Sequence, residues 1–393
     1  MQALRGQDRK AHTFLLPDSE IDSDALTINH DMANKNLNQA KSAKKDEFYT
    51  QLADIENELK HYKQHFKDKV VLCNCDDPRI SNFFHYFSYN FEQLGLKKLI
   101  TTCYKSQERD LFSQNDSERA IWLEYTGDHN GNHVPDPEEI GINFLNGDGD
   151  FRSPECVELL KQADIVVTNP PFSLFREYVA QLMKYEKKFI IIGSHNAIHY
   201  SDIFPLIKYD QIWLGYNTNQ TMLFAMPDNY EGEEKEFKYG DIIQKRKIGK
   251  VPGITWFTNL DIAKRHEEII LYKSYTEEEY PCYENYNAIN VNKVSEIPID
   301  YYGIMGVPDT FVDVYNPQQF ELIGVGSGTM AASIGVKKNY RGRTDIALNI
   351  NGVHKCPYSR ILIRRRQPNN IEYPQSDQQP DMAAEGTKEY GKK

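Results

Sequence analysis

Asp164-Ile-Val-Val-Thr-Asn-Pro-Pro-Phe172 is the stretch on which the reading of this chain turns. Its first half is apolar and β-branched, as expected of a strand buried on both faces. Asn169-Pro170-Pro171-Phe172 follows where that strand must end, because two prolines fix φ and remove two backbone donors. The Asn169 side-chain oxygen and the Pro170 carbonyl are left as acceptors that can converge on one exocyclic amino group, with Phe172 free to stack. Chemistry on a base amine needs such a grip, since the base must leave the duplex and be held by edge hydrogen bonds and stacking. Asn-Pro-Pro is also ordinary turn chemistry, so its surroundings carry weight.

Working outward, Ser173 to Tyr185 reads as a helix and Lys188-Phe-Ile-Ile-Ile-Gly193 as the next strand, with a helix from Pro154 to Gln162 before the turn. Leu52, Ile55, Leu59, Tyr62 and Phe66 recur at helical spacing ahead of the apolar run Lys69 to Cys73. Ser81 to Leu94 reads as a helix ending at Gly95, followed by the strand-like Lys98 to Cys103. Strands alternating with helices predict an α/β fold with a doubly wound, mostly parallel, Rossmann-like sheet. Ligands of such sheets sit beyond the carboxyl ends of the strands, where Cys75-Asp76-Asp77 and the Asn169 turn both fall. After about residue 210 the alternation weakens and Tyr, Asn, Gly and Pro rise, which predicts an irregular mixed region.

The expected division is a disordered tail over 1–40, a catalytic domain over 41–210, the remainder of the sheet and a recognition region over 211–366, and a disordered tail over 367–393. With 393 residues, 40% hydrophobic, the chain can bury a sizeable core. No run reaches the roughly 18 apolar residues of a membrane span, and the first residues lack the apolar core of a secretory signal, so a cytoplasmic protein is expected. The six cysteines lack paired CxxC spacing, and neither disulfides nor zinc are expected. A net charge of −11 argues mildly against nucleic acid. Lys337, Lys338, Arg341, Arg343, Lys355, Arg360, Arg364, Arg365 and Arg366 nevertheless cluster late in the chain, and could track a phosphate backbone or protect a sheet edge.

The chain resembles the DNA adenine-N6 methyltransferases of the EcoRI type, which use S-adenosylmethionine. The resemblance rests on Lys45-Asp-Glu-Phe-Tyr-Thr-Gln51, Val71-Leu-Cys-Asn-Cys-Asp-Asp-Pro78, Gly147-Asp-Gly-Asp-Phe-Arg-Ser153, the Asn-Pro-Pro-Phe turn, Trp256-Phe-Thr-Asn-Leu-Asp261 and Met305-Gly-Val-Pro308. Together these cover roughly residues 41 to 320, and as a set they are specific. The resemblance implies a Rossmann-like methyltransferase sheet with a C-terminal target-recognition region. It implies that Glu47, Phe48, Tyr49, Thr50 and Gln51 line one side of the S-adenosylmethionine pocket, although Asp46 and Glu47 also suit the first turn of a helix. Asn74, Asp76 and Asp77 would meet the methionine end of the cofactor; here the loop lacks the glycines usual in wider methyltransferases. Asp148, Asp150 and Phe151 would meet its adenine. A calcium loop starting at Asn146 fails on spacing, since Phe151 and Val157 stand where glycine and glutamate are needed.

By the same resemblance Asn169, Pro170, Pro171 and Phe172 carry transfer of a methyl group to N6 of a flipped adenine in double-stranded DNA, with no metal and no obligatory protein partner. Lys337, Lys338, Arg341, Arg343, Arg360 and Arg364 are the candidate DNA contacts. The same turn could serve an enzyme acting on RNA adenine or protein glutamine, or persist in a silent nucleic-acid-binding relative. His195 and His199 lack the glutamate of a zinc protease helix and read as site-wall or core residues. Gly324-Val-Gly-Ser-Gly328 reads as a flexible loop.

Overall fold

The computed structural model describes residues 49–75, 81–102, 120–132, 135–136, 139–226, 233–239 and 242–367. The expected tails, 1–40 and most of 367–393, lie outside them, as do Glu47, Phe48, Asp76 and Asp77. The chain divides into two compact units between Arg265 and His266.

In the first unit β1 (Tyr49–Thr50) and α1 (Leu52–Leu59) precede β2 (Val70–Cys73), α2 (Asn82–Tyr89), α3 (Phe91–Leu94) and β3 (Lys98–Thr102). After β4 (Ile121–Tyr125) and β5 (Gly141–Phe144) come α4 (Pro154–Gln162), β6 (Ile165–Thr168), α5 (Phe175–Lys184), β7 (Lys188–Ser194) and α6 (Phe204–Lys208). β8 (Trp213–Leu214), β9 (Gln220–Met226), β10 (Glu233–Tyr239) and β11 (Ile242–Thr258) complete it.

These strands form one large sheet in the order β1-β9-β11-β7-β6-β2-β3-β4-β5, with β8 and β10 also paired to β11. Only the centre is parallel, where β3, β2, β6 and β7 run side by side. Both flanks are antiparallel. The sheet is therefore mixed, not mostly parallel, and the cause is visible in burial. β2 and β6 are buried throughout and need helices on both faces, whereas β5 is largely exposed and needs only a hairpin connection.

Two helices are shorter than their apolar spacing suggests. α1 stops at Leu59, and Tyr62 and Phe66 reach the core from a 3-10 turn instead. The Ser81 to Leu94 segment breaks at Asn90, whose side chain donates to the Tyr86 carbonyl at 2.7 Å and competes with the helical pattern. Ser81 caps α2 by accepting from the Phe84 amide, and Gly95 closes α3 at φ 63°. The core beneath these helices joins Ile55, Phe83, Phe87, Val71, Val167, Ile190 and Trp256.

The second unit holds β12 (Ile289–Asn290), β13 (Ile304–Pro308), β14 (Phe320–Val325), α7 (Gly328–Ser333), the hairpin β15 (Leu348–Ile350) and β16 (Val353–Lys355), and β17 (Arg360–Arg365). Its sheet order is β12-β13-β17-β14, with Ile361, Leu362 and Ile363 of the inner strand fully buried. No helix among the described residues is long and apolar enough to cross a membrane.

Candidate active site at the carboxyl ends of the central strands

Because β2 and β6 are adjacent and parallel, Asn74 and Asn169 leave the same edge of the sheet. Thr168, the last residue of β6, is fully buried and donates its hydroxyl hydrogen to the Asn74 carbonyl. The Asn74 side-chain oxygen accepts from the Tyr178 hydroxyl on α5. Burial pushes the Tyr178 phenol well above its usual range, so it stays protonated and remains a donor. Tyr178 also packs edge-on against Phe151, ring centroids 5.0 Å apart, and Gln181 of α5 donates to the Phe151 carbonyl at 3.0 Å. Asn74 and Phe151, drawn from separate stretches of sequence, thus meet around one tyrosine, and Thr168 holds the Asn74 carbonyl.

The chain turns out of β2 at Cys75, with φ at 80°. That is the left-handed region in which glycine costs nothing and a cysteine is strained. The glycine-free loop therefore makes the bend that glycines usually make, at a cost of order 1 kcal/mol or more.

Asn169 and Pro170 are buried, and Phe172 opens a 3-10 turn that runs into α5. Gly193 of β7 lets this segment settle, since a Cβ there would lie 2.5 Å from the Phe175 ring. β7 ends beside the turn, at Ser194 and the buried His195.

Thr50 and Gln51 approach from β1, which pairs with β9 through Thr50 and Phe224 and places Tyr49 opposite Ala225. The Thr50 carbonyl accepts from the Asn82 side chain at 2.7 Å, joining this segment to the start of α2. Thr50 Oγ1 and Gln51 Nε2 are buried without a hydrogen-bond partner among the described residues. Buried polar atoms are nearly always paired, so two such atoms together fit a bound polar molecule. A cofactor with ammonium, carboxylate and hydroxyl groups would suit them.

The acidic loop is less uniform than its sequence implies. Asp148 is exposed and accepts from the Asp150 amide. Asp150 is gripped by Arg152, whose Nε and terminal nitrogen donate to its two oxygens at 2.9 and 2.7 Å. The hydrogen bonds from Arg152 hold the Asp150 carboxyl below the usual range, and Arg152 reaches on to Glu177 at 2.8 Å. In this loop Asp150 is thus held by Arg152, whereas Asp148 is exposed and Phe151 is buried against Tyr178. No group of three or more His, Cys, Asp or Glu among the described residues is placed to hold a metal ion.

The candidate nucleic-acid contacts separate into two sets. Lys337, Lys338, Arg341 and Arg343 are exposed on the loop after α7, which is shaped by Asn339 accepting from the Arg341 and Arg343 amides. Arg360 instead donates to Asn290, Tyr358 and Ser359 within its own unit, and Arg364 lies 3.7 Å from Glu321. The sequence reading passed over Thr168 and Tyr178. Thr168 stood in the opening stretch, but a threonine in an apolar run gives no sign of which carbonyl it will reach.

The family described as adenine-specific methyltransferase EcoRI matches residues 36–366. The chain is 48% identical over 337 residues to the type II methyltransferase M.EcoRI of Escherichia coli, covering 85% of this chain and 97% of that protein. It is 40% identical over 343 residues to M.MpnI of Mycoplasma pneumoniae, covering 84% and 98%. Against M.MgeORF184P of Mycoplasma genitalium the identity is 39% over 339 residues, covering 84% and 99%. No solved structure matches it.

Proposed function

Since this chain belongs to the family of EcoRI-type adenine-specific methyltransferases, we propose that it is a site-specific DNA methyltransferase, transferring the methyl group of S-adenosylmethionine to N6 of a flipped adenine. The observation that carries this reading is the shared edge: Asn74 and Phe151 are joined through Tyr178 beside the strand end from which Asn169 emerges. A cofactor and an acceptor amine held by these two groups would be neighbours.

S-adenosylmethionine supplies an electrophilic sulfonium methyl group when bound. Thr50, Gln51, Asn74, Asp148 and Phe151 are the described residues that would hold it, and Glu47, Phe48, Tyr49, Asp76 and Asp77 are the further residues that the family resemblance assigns to the cofactor. Asp150 acts here through Arg152 and the loop. Asn169 Oδ1 and the Pro170 carbonyl accept the two N6 hydrogens. This draws the amine lone pair out of conjugation with the ring, where positive charge develops during attack. Pro171 stiffens the turn and Phe172 stacks on the base, a contact worth about 1–3 kcal/mol. Much of the acceleration comes from holding the amine in line, with the proton leaving after transfer.

Lys337, Lys338, Arg341 and Arg343 are the phosphate contacts this reading favours, with Arg360 and Arg364 serving their own unit. A single copy of the site suffices for one transfer, which is compatible with a monomer acting in the cytoplasm. The test is transfer of radiolabelled methyl to unmethylated genomic DNA with nucleoside analysis. N6-methyladenine made by the wild type, and lost in Asn169→Ala while S-adenosylmethionine still binds, is the expected result. Label in RNA or protein, or an active Asn169→Ala enzyme, would overturn it.

A further inference from the structure

Thr255 of β11 is fully buried and pairs with Gly193 of β7. Its Oγ1 accepts from the Asn219 amide at 3.0 Å and lies 3.0 Å from His195 Nδ1. A hydroxyl has one hydrogen and two lone pairs. With Asn219 using a lone pair, the hydrogen needs an acceptor, and the one it reaches among the described residues is His195 Nδ1. Nδ1 therefore accepts, and the proton of the neutral imidazole sits on Nε2 as a donor.

The arrangement is held from behind by a buried carboxylate. Glu58 of α1 is fully buried and accepts from the Tyr216 amide at 2.7 Å, the Asn217 amide at 2.8 Å, the Asn217 side chain at 2.9 Å and the Tyr62 hydroxyl at 2.7 Å. A Cβ on the neighbouring Gly215 would collide with Glu58 and Trp256. The loop between β8 and β9 thus has one available shape, and Asn219 closes it at φ 47°, with its amide on Thr255. Glu58, the loop, Thr255 and His195 form one continuous hydrogen-bonded chain.

That chain ends at the candidate site. β7 runs parallel to β6 with Ile191 opposite Thr168, so both strands end on the same carboxyl edge, where His195 follows the end of β7 as Asn169 follows the end of β6. We propose that His195 donates its Nε2 hydrogen to the ring nitrogen beside the N6 amine of the target adenine, either N1 or N7. Resting on the DNA-adenine reading, this gives the site two acceptors for the amine and one donor for the ring. Adenine matches that pattern on either edge. Guanine does not, since it offers an oxygen acceptor in place of the amine.

The test uses a duplex carrying the methylated site, mapped from DNA modified by the wild-type enzyme. The target base is adenine, 1-deazaadenine or 7-deazaadenine. His195→Ala lowers kcat/KM on adenine about tenfold or more, the loss of one hydrogen bond in a buried site. On one of the two deaza substrates the wild type falls by a similar factor, and His195→Ala loses nothing further. That substrate identifies the ring nitrogen. His195→Gln, which keeps an N–H near the Nε2 position, recovers part of the loss, and Thr255→Ser recovers most of what Thr255→Val loses. Equal losses from His195→Ala on all three substrates, or no loss on adenine, would overturn the assignment while leaving the DNA-adenine reading intact. A wild type that puts no methyl on N6 of adenine in DNA would overturn both.

Discussion

Thr168 donates its hydroxyl hydrogen to the main-chain carbonyl of Asn74, so the ends of two parallel strands are tied where the Asn169 turn begins. On the proposed function one strand end holds the cofactor and the other holds the acceptor, and this bond sets their separation. Tyr178 adds a second tie to the Asn74 side chain.

Thr168→Val and Tyr178→Phe should each weaken S-adenosylmethionine binding about tenfold. A lost buried hydrogen bond costs about 1–1.5 kcal/mol, and the Asn74 oxygen is left without its donor. Calorimetric titration with the cofactor checks this. Unchanged dissociation constants in both variants would remove Asn74 from the cofactor pocket.

Asp150→Asn should reduce cofactor affinity less than Phe151→Ala does, because the Asp150 carboxylate is already occupied by Arg152. It should also change how stability responds to acid. Arg152 depresses the Asp150 pKa in the folded protein. The stabilisation is therefore present above the ordinary aspartate range and lost as pH falls through the lower folded value. With Arg152 half exposed the effect near neutrality is small, at most about 1 kcal/mol. Melting curves between neutral and strongly acid pH should converge for wild type and variant at the acid end. Curves that diverge there would contradict the assignment.

The parallel centre of the sheet was legible because β2 and β6 are continuous apolar runs, and a run of that kind has few other places to go. The turn at Asn169 was legible for a related reason, since its prolines forbid the strand to continue. The antiparallel flanks were not. β4 and β5 lie in a stretch that reads as loop because their faces are only partly buried. β10 and β11 are charged along much of their length, and their pairing is set by partners rather than by local pattern. Glu58 was hidden among the solvent-like charges of an amphipathic helix, and its role depends on a loop more than 150 residues away.

Glu58→Ala should destabilise the protein by about 3–5 kcal/mol, since it strands the Tyr62 hydroxyl and the Tyr216 and Asn217 amides in the interior. For a unit of this size that corresponds to a fall in melting temperature of roughly 10 °C. Glu58→Gln keeps one carbonyl oxygen and should cost less. Thermal unfolding measures both, and a loss below about 1 kcal/mol in Glu58→Ala would show that the loop has another support.

Replacing Lys337, Lys338, Arg341 and Arg343 together by Gln should weaken DNA binding and flatten its dependence on salt. Each phosphate contact contributes about 0.9 to the slope of log affinity against log salt concentration. These four side chains are exposed, and none makes an ion pair among the described residues, so their charge is free to displace counterions. Arg360 differs because its guanidinium is spent on the Tyr358 and Ser359 carbonyls and on Asn290. Arg360→Gln should therefore lower stability while leaving the salt slope unchanged. Titrations of a fluorescent duplex at several salt concentrations separate the two effects. A slope that falls with Arg360→Gln and holds with the fourfold variant would move the phosphate-binding surface from the loop to β17.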